Sequence, residues 1–245
     1  ILGNRSSRFF YYSSVTLILF AVQQAASKAG GFVGNLFTYG NIDPHNLFAF
    51  ISVHHLVQAV IALLIIVVCK KLYNITFGFK FGKVRKGLKY VLVFTGVMLV
   101  YALVSYVIRY YLGAIEPLSF PLNPRNVLGT LGFQFLLSGP SEEILFRALP
   151  IGILLLVFKK STILKWGISL ETIIGAFLFS IAHIKWTLSP FVFNFDFYQL
   201  VYAFVLGVVY GKVYQKTESI YYPMLMHSIS NVTYVGIGYL FAMNI

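Results

Sequence analysis

The chain has 245 residues, of which 58% are hydrophobic and only 11% are charged. A soluble domain carries about 25% charged residues, and a single core of this size does not hide so much apolar surface. With a mean hydropathy of +0.80, the composition excludes an ordinary soluble enzyme and a disordered chain. It favours an α-helical protein that crosses a membrane several times.

The net charge of +12 does not indicate nucleic-acid binding, because the basic residues lie in short segments between apolar runs, where they meet lipid headgroups. No surface with interleaved aromatic and basic residues is evident. We therefore expect no nucleic-acid partner, and we expect membrane lipid as a partner. The chain is predicted to be an integral protein of the cell membrane, or of the endoplasmic reticulum in a eukaryote.

The same basic residues predict the orientation of the chain, because cytoplasmic loops carry an excess of Lys and Arg. The larger set, assigned to the cytoplasm together with the N-terminus, comprises Arg5, Arg8, Lys70, Lys71, Lys80, Lys83, Arg85, Lys86, Lys89, Lys159, Lys160, Lys165, Lys212 and Lys216. The smaller set, on the opposite side, comprises Lys28, Arg109, Arg125 and Lys185.

Apolar runs of roughly 20 residues, the length that spans a bilayer, predict an all-α fold. We expect a polytopic transmembrane helical bundle of about seven or eight spans with its active site inside the bundle. The seven predicted spans cover residues 9–27, 47–69, 90–112, 127–158, 167–186, 198–214 and 220–242.

The fourth run is too long for one span. As one helix it would extend about 48 Å at 1.5 Å per residue, whereas the hydrocarbon core is about 30 Å thick. Ser138-Gly139-Pro140-Ser141 offers a break, because proline disrupts a helix and serine caps a new one. We therefore expect an interfacial or partly inserted helix over 127–137, followed by a span over 142–158.

Glu142, Glu143 and Arg147 stand out because ionisable residues inside a bilayer are costly and usually functional. Glu143 and Arg147 are four residues apart, so they share a helix face and are predicted to pair. Glu142 projects about 100° away from Glu143, which leaves one carboxylate to point elsewhere. The alternative is that both acids merely favour a helix N-terminus and form a structural ion pair.

Two further pairs have the same four-residue spacing. Phe179 lies one helical turn before His183, and His227 lies one turn before Asn231. A structural interpretation is available for each pair, because histidine and asparagine also form hydrogen bonds between membrane helices.

Other ionisable residues are weaker candidates. His54 and His55 lie in the second predicted span with no acid nearby in the sequence, which favours structural or interfacial roles. Asp43, Glu116 and Asp196 lie in predicted loops, where we expect solvated side chains.

A helical bundle brings side chains from several helices to one interior cavity, and these residues suit hydrolysis of an acyl bond. Glu142 is able to take a proton from water, with His183 orienting that water or protonating the leaving amine. His227 and Asn231 are able to donate hydrogen bonds to the developing oxyanion.

The same side chains also suit zinc. Glu142, His183 and His227 would supply one carboxylate and two imidazoles, a known catalytic zinc set with water in the fourth position. The chain lacks a His-Glu-x-x-His helix, so three separate helices would supply the ligands. We favour a mechanism without a cofactor and keep zinc as the alternative.

The ordered set of Glu-Glu-x-x-x-Arg at 142–147, Phe-x-x-x-His at 179–183 and His-x-x-x-Asn at 227–231 resembles the CPBP family. This family contains CAAX prenyl endopeptidases and bacteriocin-processing (Abi) enzymes. The resemblance covers about 127–231. It implies one integral membrane domain in which residues 1–126 form N-terminal transmembrane helices and residues 127–245 form the catalytic core.

By position, the resemblance implies that Glu142 is the catalytic glutamate, that His183 shares its water, and that His227 and Asn231 stabilise the oxyanion. Glu143, Arg147 and Phe179 then support them. The implied reaction is cleavage of a peptide bond near the C-terminus of a peptide or prenylated protein, with or without zinc.

The resemblance implies processing on the cytosolic side, whereas the charge distribution puts Glu142 and His183 toward the external half of their spans. A cavity near the middle of the bilayer, an inverted topology or a different substrate would each resolve this conflict. Two other functions also stay open. One is a non-catalytic membrane scaffold of the CPBP type, and the other is a proton-coupled transporter.

Overall fold

The computed structural model describes residues 5–159, 161–188 and 191–243, with the backbone alone at 5–8 and 188. Three residues that were predicted to be cytoplasmic are affected. Lys160 lies outside the described residues, and so do the side chains of Arg5 and Arg8. Helices make up 74% of the structure and strands 4%, which confirms the all-α class.

Nine α-helices, two π-helical turns and one short hairpin follow one another in the described residues. They are α1 (Arg5–Gly34), α2 (Ala49–Tyr73), α3 (Val84–Tyr111), α4 (Pro124–Phe133), π1 (Gln134–Ser138), α5 (Gly139–Glu143), π2 (Ile144–Ala148), α6 (Leu149–Phe158), α7 (Leu170–Ile181), β1 (Lys185–Leu188), β2 (Phe191–Asn194), α8 (Phe197–Thr217) and α9 (Tyr221–Ala242). A 3₁₀ turn, Lys165–Gly167, precedes α7.

Four helices are long and apolar enough to cross a membrane: Phe9–Gly34, Ala49–Tyr73, Val84–Tyr111 and Phe197–Thr217. The predicted number of seven or eight spans is not confirmed by this measure. Many apolar side chains of these helices are exposed, including Leu92, Val100 and Ile108 of α3. Such a face suits a lipid surrounding and would aggregate in water.

The long fourth run is one continuous helix, so the predicted break at Ser138–Ser141 is wrong. Backbone angles stay right-handed at every junction from α4 to α6, and Ser141 does not cap a new helix. Each π turn ends two residues before a proline, Pro140 or Pro150. The wider π turn relieves the clash between a proline ring and the preceding turn, so the helix continues.

The fifth predicted span, 167–186, is also wrong in extent. Its helix covers only Leu170–Ile181, because Ser169 caps its start by accepting a hydrogen bond from the Thr172 amide. Trp186 belongs to the antiparallel hairpin formed by β1 and β2, where it pairs with Phe193. A 12-residue helix is about 18 Å long, too short to cross the bilayer by itself.

Asp43 is buried, so the prediction of a solvated side chain is wrong at this position. Its carboxylate accepts hydrogen bonds from the backbone amides of Leu47, Phe48 and Ala49, at 2.9, 2.6 and 2.7 Å. Burial raises the pKa of Asp43, but these donors outweigh it, and the pKa lies below its usual value. Asp43 therefore holds the amides that start α2.

The basic loops meet at one end of the bundle, which we call the lysine-rich end. The Lys83 amide donates to the Thr217 carbonyl, and the Ile220 amide donates to the Gly78 carbonyl. Lys80 and Lys83 form ion pairs with Glu218, with nitrogen–oxygen distances of 3.2 and 2.6 Å. The segment after α6 is at the same end, because Ser169 bonds Gln215 of α8 at 2.8 Å.

The principal core joins the two halves of the chain. Leu19 of α1 and Ala59 of α2 pack in one buried cluster with Leu145, Leu149 and Leu154. The N-terminal helices therefore enclose the segment that carries the first motif.

Candidate active site

The first motif lies where α5 packs closely on α9. A Cβ added at Gly139 would lie 2.6 Å from Ser228 Oγ and 2.7 Å from the Ser228 backbone nitrogen. Only glycine permits this approach. The contact brings Glu142 and Glu143, three and four residues further along, next to His227 of α9.

Glu143 connects the first and third motifs. Its Oε1 lies 3.3 Å from Arg147 Nη1, so the predicted pairing within the helix is present. The same oxygen lies 2.8 Å from His227 Nδ1. Both Glu143 and Arg147 are almost fully buried, with side chains 0% and 1% exposed. Glu143 is therefore positioned to orient the His227 ring and is shielded from solvent.

Arg147 is held mainly by aromatic rings. Its guanidinium carbon lies 4.1 Å from the Phe179 ring centre and 5.5 Å from the Tyr210 ring centre. None of its three side-chain nitrogens has a hydrogen-bond partner among the described residues. Gly207 leaves room for the group, since an added Cβ there would lie 3.1 Å from Nη2. Cation–π contacts of this kind contribute about 2 kcal/mol when they are desolvated.

Glu142 is the more accessible of the two acids, with a side chain that is 17% exposed. Its Oε2 lies 3.5 Å from His227 Nε2, and its Oε1 lies 3.8 Å from His55 Nδ1. The two adjacent glutamates thus contact opposite nitrogens of the His227 ring.

His55 does have an acid beside it, which corrects the interpretation drawn from the sequence. Its Nδ1 lies 2.8 Å from Ser141 Oγ. That hydroxyl donates to the Ser138 carbonyl at 3.2 Å, so the His55 Nδ1–H is the donor in the first bond. The segment Ser138–Ser141 was expected to form a break. Instead it lies in the helix just before the two glutamates and contacts α2 through the hydrogen bond between Ser141 and His55.

The second motif closes the site from the end of α7. His183 lies in the turn just after the helix, outside the helix that was predicted to contain it. Its Nδ1–H donates to the Phe179 carbonyl at 2.9 Å, and the two rings meet edge to face at 4.9 Å. With Nδ1 protonated, neutral His183 has its acceptor at Nε2.

The third motif has its own fixed partners. Asn231 donates from Nδ2 to Ser138 Oγ at 3.0 Å. His227 stacks on Tyr210 with ring centres 5.1 Å apart, and the Tyr210 hydroxyl lies 2.9 Å from Ser230 Oγ. Ser138 and Tyr210 were not identified from the sequence, because neither belongs to a charged or repeated pattern.

A cavity of about 390 Å³ joins the motifs. Its wall contains Glu142, Phe179, His183, His227 and Asn231, whereas Glu143 and Arg147 lie behind that wall. The remaining lining residues are Tyr101, Arg109, Gln134, Ser138, Asp196, Tyr198, Gln199, Tyr202, Ala203, Leu206, Ser230, Tyr234 and Val235. The arrangement presents a carboxylate, two imidazoles and an amide to one cavity.

The residues weighed for zinc are Glu142, His183 and His227. Within the described part of the chain, no three His, Cys, Asp or Glu side chains are arranged to hold a metal ion. Glu143 engages Nδ1 of His227 and leaves Nε2 as the nitrogen on the side of Glu142. The steps proposed below are those of the chain's own residues and are not routed through a metal.

The fold and the cavity define a membrane-embedded helical protein with an acid–imidazole site. Residues 124–233 match the family model described as type II CAAX prenyl endopeptidase Rce1-like. The matched segment runs from α4 into α9 and holds all three motifs, which confirms the resemblance to the CPBP family. No curated protein and no solved structure matches the chain significantly.

Residues 124–233, somewhat less than half of the chain, are thus similar to CAAX-type membrane proteases. The family and the four apolar helices together indicate an integral membrane protein.

Proposed function

We propose that the protein is an intramembrane endopeptidase that hydrolyses a peptide bond near the C-terminus of a peptide or prenylated protein. One observation carries this proposal: Glu142, His183, His227 and Asn231 line the same cavity. The protease family whose model matches residues 124–233 supports the same class of reaction. The membrane is the cell membrane, or the endoplasmic reticulum in a eukaryote.

Glu142 is the general base in this proposal. It lines the cavity, whereas Glu143 is fully buried and engaged by Arg147 and His227. The Glu142 carboxylate takes a proton from a water molecule as the water oxygen bonds to the scissile carbonyl carbon. His183 holds that water by accepting its second hydrogen at Nε2.

His227 and Asn231 stabilise the oxyanion that forms when the carbonyl π electrons move to oxygen. Asn231 has one further amide hydrogen besides the one given to Ser138. Glu143 engages Nδ1 of His227, which leaves Nε2 as the ring nitrogen that approaches the oxyanion.

Collapse of the tetrahedral intermediate breaks the carbon–nitrogen bond and restores the carbonyl. The proton held by Glu142 passes to the leaving nitrogen, which departs as a neutral amine. The carboxylate is regenerated, and the net reaction consumes one water molecule.

The proposal is tested by substituting each glutamate separately. Glu142→Gln is expected to lower kcat by about 10²- to 10⁴-fold, the usual contribution of a general base, with little change in Tm. Glu143→Gln leaves Arg147 buried without a counter-charge, which costs about 3–5 kcal/mol, so its main effect is a lower Tm. Glu218→Gln, at an exposed surface position, is the matched control.

The measurements are cleavage of prenylated and unprenylated peptides by protein purified in detergent, together with thermal unfolding of the same samples. Retained cleavage in Glu142→Gln would refute the assignment of the base. A wild-type protein that folds but cleaves neither kind of peptide would favour the scaffold or the transporter.

Zinc dependence is tested on the same preparation. We expect kcat to be unchanged after dialysis against a chelator, with no stoichiometric zinc by metal analysis. Loss of activity that returns on adding Zn²⁺ would support the zinc alternative instead.

A further inference from the structure

The cavity has two ends that differ in exposure. Toward the lysine-rich end, the residues around His227 are buried: Tyr214, Ile220, Tyr222 and Met226 are at most 7% exposed. In the other direction the wall reaches Arg109, Asp196 and Tyr198, all of which are exposed.

These exposed residues lie at the end of the bundle opposite the lysines. The helix α3 starts beside Lys83 and has Arg109 in its last turn, about 37 Å from its start at 1.5 Å per residue. The helix α8 runs the other way, with Asp196 capping its start and Lys216 in its last turn. The mouth of the cavity and the lysine-rich end are therefore separated by the length of the bundle.

The charges at the two ends are unequal in the part of the chain that the structure describes. The basic residues toward the lysine-rich end are Lys70, Lys71, Lys80, Lys83, Arg85, Lys86, Lys89, Lys159, Lys165, Lys212 and Lys216. Those toward the mouth are Lys28, Arg109, Arg125 and Lys185. Such an asymmetry over short loops places the lysine-rich end in the cytoplasm.

We infer that the cavity opens on the non-cytoplasmic face of the membrane and receives polypeptide ends presented there. The substrate class that follows is a translocated or externally anchored polypeptide, not a prenylated protein of the cytosol. The statement about substrate rests on the proposed function, whereas the statement about orientation rests only on the fold and the charges.

The orientation is tested by thiol labelling of intact cells that express the full chain. Cys69, the single cysteine, is first replaced by serine. Two single-cysteine variants are then compared: Tyr198→Cys at the mouth and Phe81→Cys at the lysine-rich end. The two native side chains are 84% and 71% exposed, so the pair is matched for aromatic character and accessibility.

A membrane-impermeant maleimide is expected to label Tyr198→Cys in intact cells and to label Phe81→Cys only after permeabilisation. Labelling of Phe81→Cys in intact cells, alone or together with Tyr198→Cys, would overturn the inference. Failure to label Tyr198→Cys before permeabilisation would overturn it as well. The labelling requires no catalysis, so its outcome is independent of the proposed activity.

The substrate statement has a separate test in oriented vesicles. We expect an added peptide to be cleaved by right-side-out vesicles and not by sealed inside-out vesicles. Cleavage confined to inside-out vesicles would overturn the inference. Absence of cleavage in both orientations and in detergent would contradict the proposed function and would leave the labelling result standing.

Discussion

At the scale of single residues, the two adjacent glutamates have different environments. Glu143 is enclosed by Arg147 and His227, and Glu142 faces the cavity. A turn of about 100° between neighbours on a helix produces this division of contacts. The local spacing therefore allowed the pairing of Glu143 with Arg147 to be predicted from the sequence.

The contact of His55 with the first motif was not predicted, because its partner Ser141 lies 86 residues away along the chain. A spacing pattern reports only neighbours on the same helix, and the contact between α2 and α5 arises from packing. The same holds for Ser138, which receives a hydrogen bond from Asn231 across helices.

We predict that His55→Gln lowers kcat about tenfold, equivalent to about 1.4 kcal/mol, because it loses a ring beside Glu142 and Ser141. His54→Gln is the matched control, since His54 forms no hydrogen bond with the first motif in the described structure. The measurement is kcat with Tm as a check on folding. Equal effects of the two substitutions would show that His55 does not act on Glu142.

At the scale of elements, the apolar runs located most helices, because a hydrophobic run of about 20 residues has few alternatives to a membrane helix. They did not locate the π turns. Pro140 was predicted to mark a break, whereas the backbone angles stay right-handed through it and the helix continues. The hairpin was missed because each of its strands has only four residues and most of it lies between the fifth and sixth predicted spans.

The close approach of α5 and α9 gives an element-scale prediction. Gly139→Ala is expected to destabilise the protein by about 1–3 kcal/mol, because the Ser228 backbone leaves no room for a Cβ. Gly132→Ala, on the same long helix with nothing within 4 Å, is expected to be neutral or to stabilise by up to about 1 kcal/mol. Thermal unfolding in detergent compares them, and equal Tm values would contradict the packing.

Asp43 gives a second prediction for an element, the start of α2. Asp43→Ala is expected to cost about 2 kcal/mol of unfolding free energy at pH 7, because three amides lose a charged acceptor. Its pKa is lowered in the folded state, so this stabilisation is present above the ordinary value of 3.8. It is lost as the pH falls through the lowered folded pKa.

The check for Asp43 is Tm between pH 7 and pH 3. The difference between wild type and Asp43→Ala should be constant down to about pH 4 and should shrink below it. Glu116→Ala removes an exposed acid from the next loop at the same end and should leave Tm unchanged. A difference that grows as the pH falls would contradict the proposed role.

At the scale of the whole molecule, the predicted division at residue 126 separates sequence motifs but not the core. Leu19 and Ala59 pack with Leu145 and Leu149, and α2 supplies His55 to the site. The sequence predicted a single membrane domain but gave no indication of which N-terminal helix borders the site, because the first three spans carry no motif.

Severing the chain after Ser119, in the exposed loop before α4, tests this arrangement. Residues 120–245 alone are expected to give no active protein, because the apolar face that packs on α1 and α2 is left uncovered. Co-expression with residues 1–119 is expected to restore cleavage. Activity of the C-terminal piece by itself would show that the N-terminal helices are dispensable.

The buried residues at the lysine-rich end make the cavity a blind one, and this has a kinetic consequence for the proposed hydrolysis. In such a cavity both cleavage products leave through the opening by which the substrate entered. A product that dissociates slowly therefore blocks binding of the next substrate. Product release would then limit kcat, and added cleavage product would act as a competitive inhibitor.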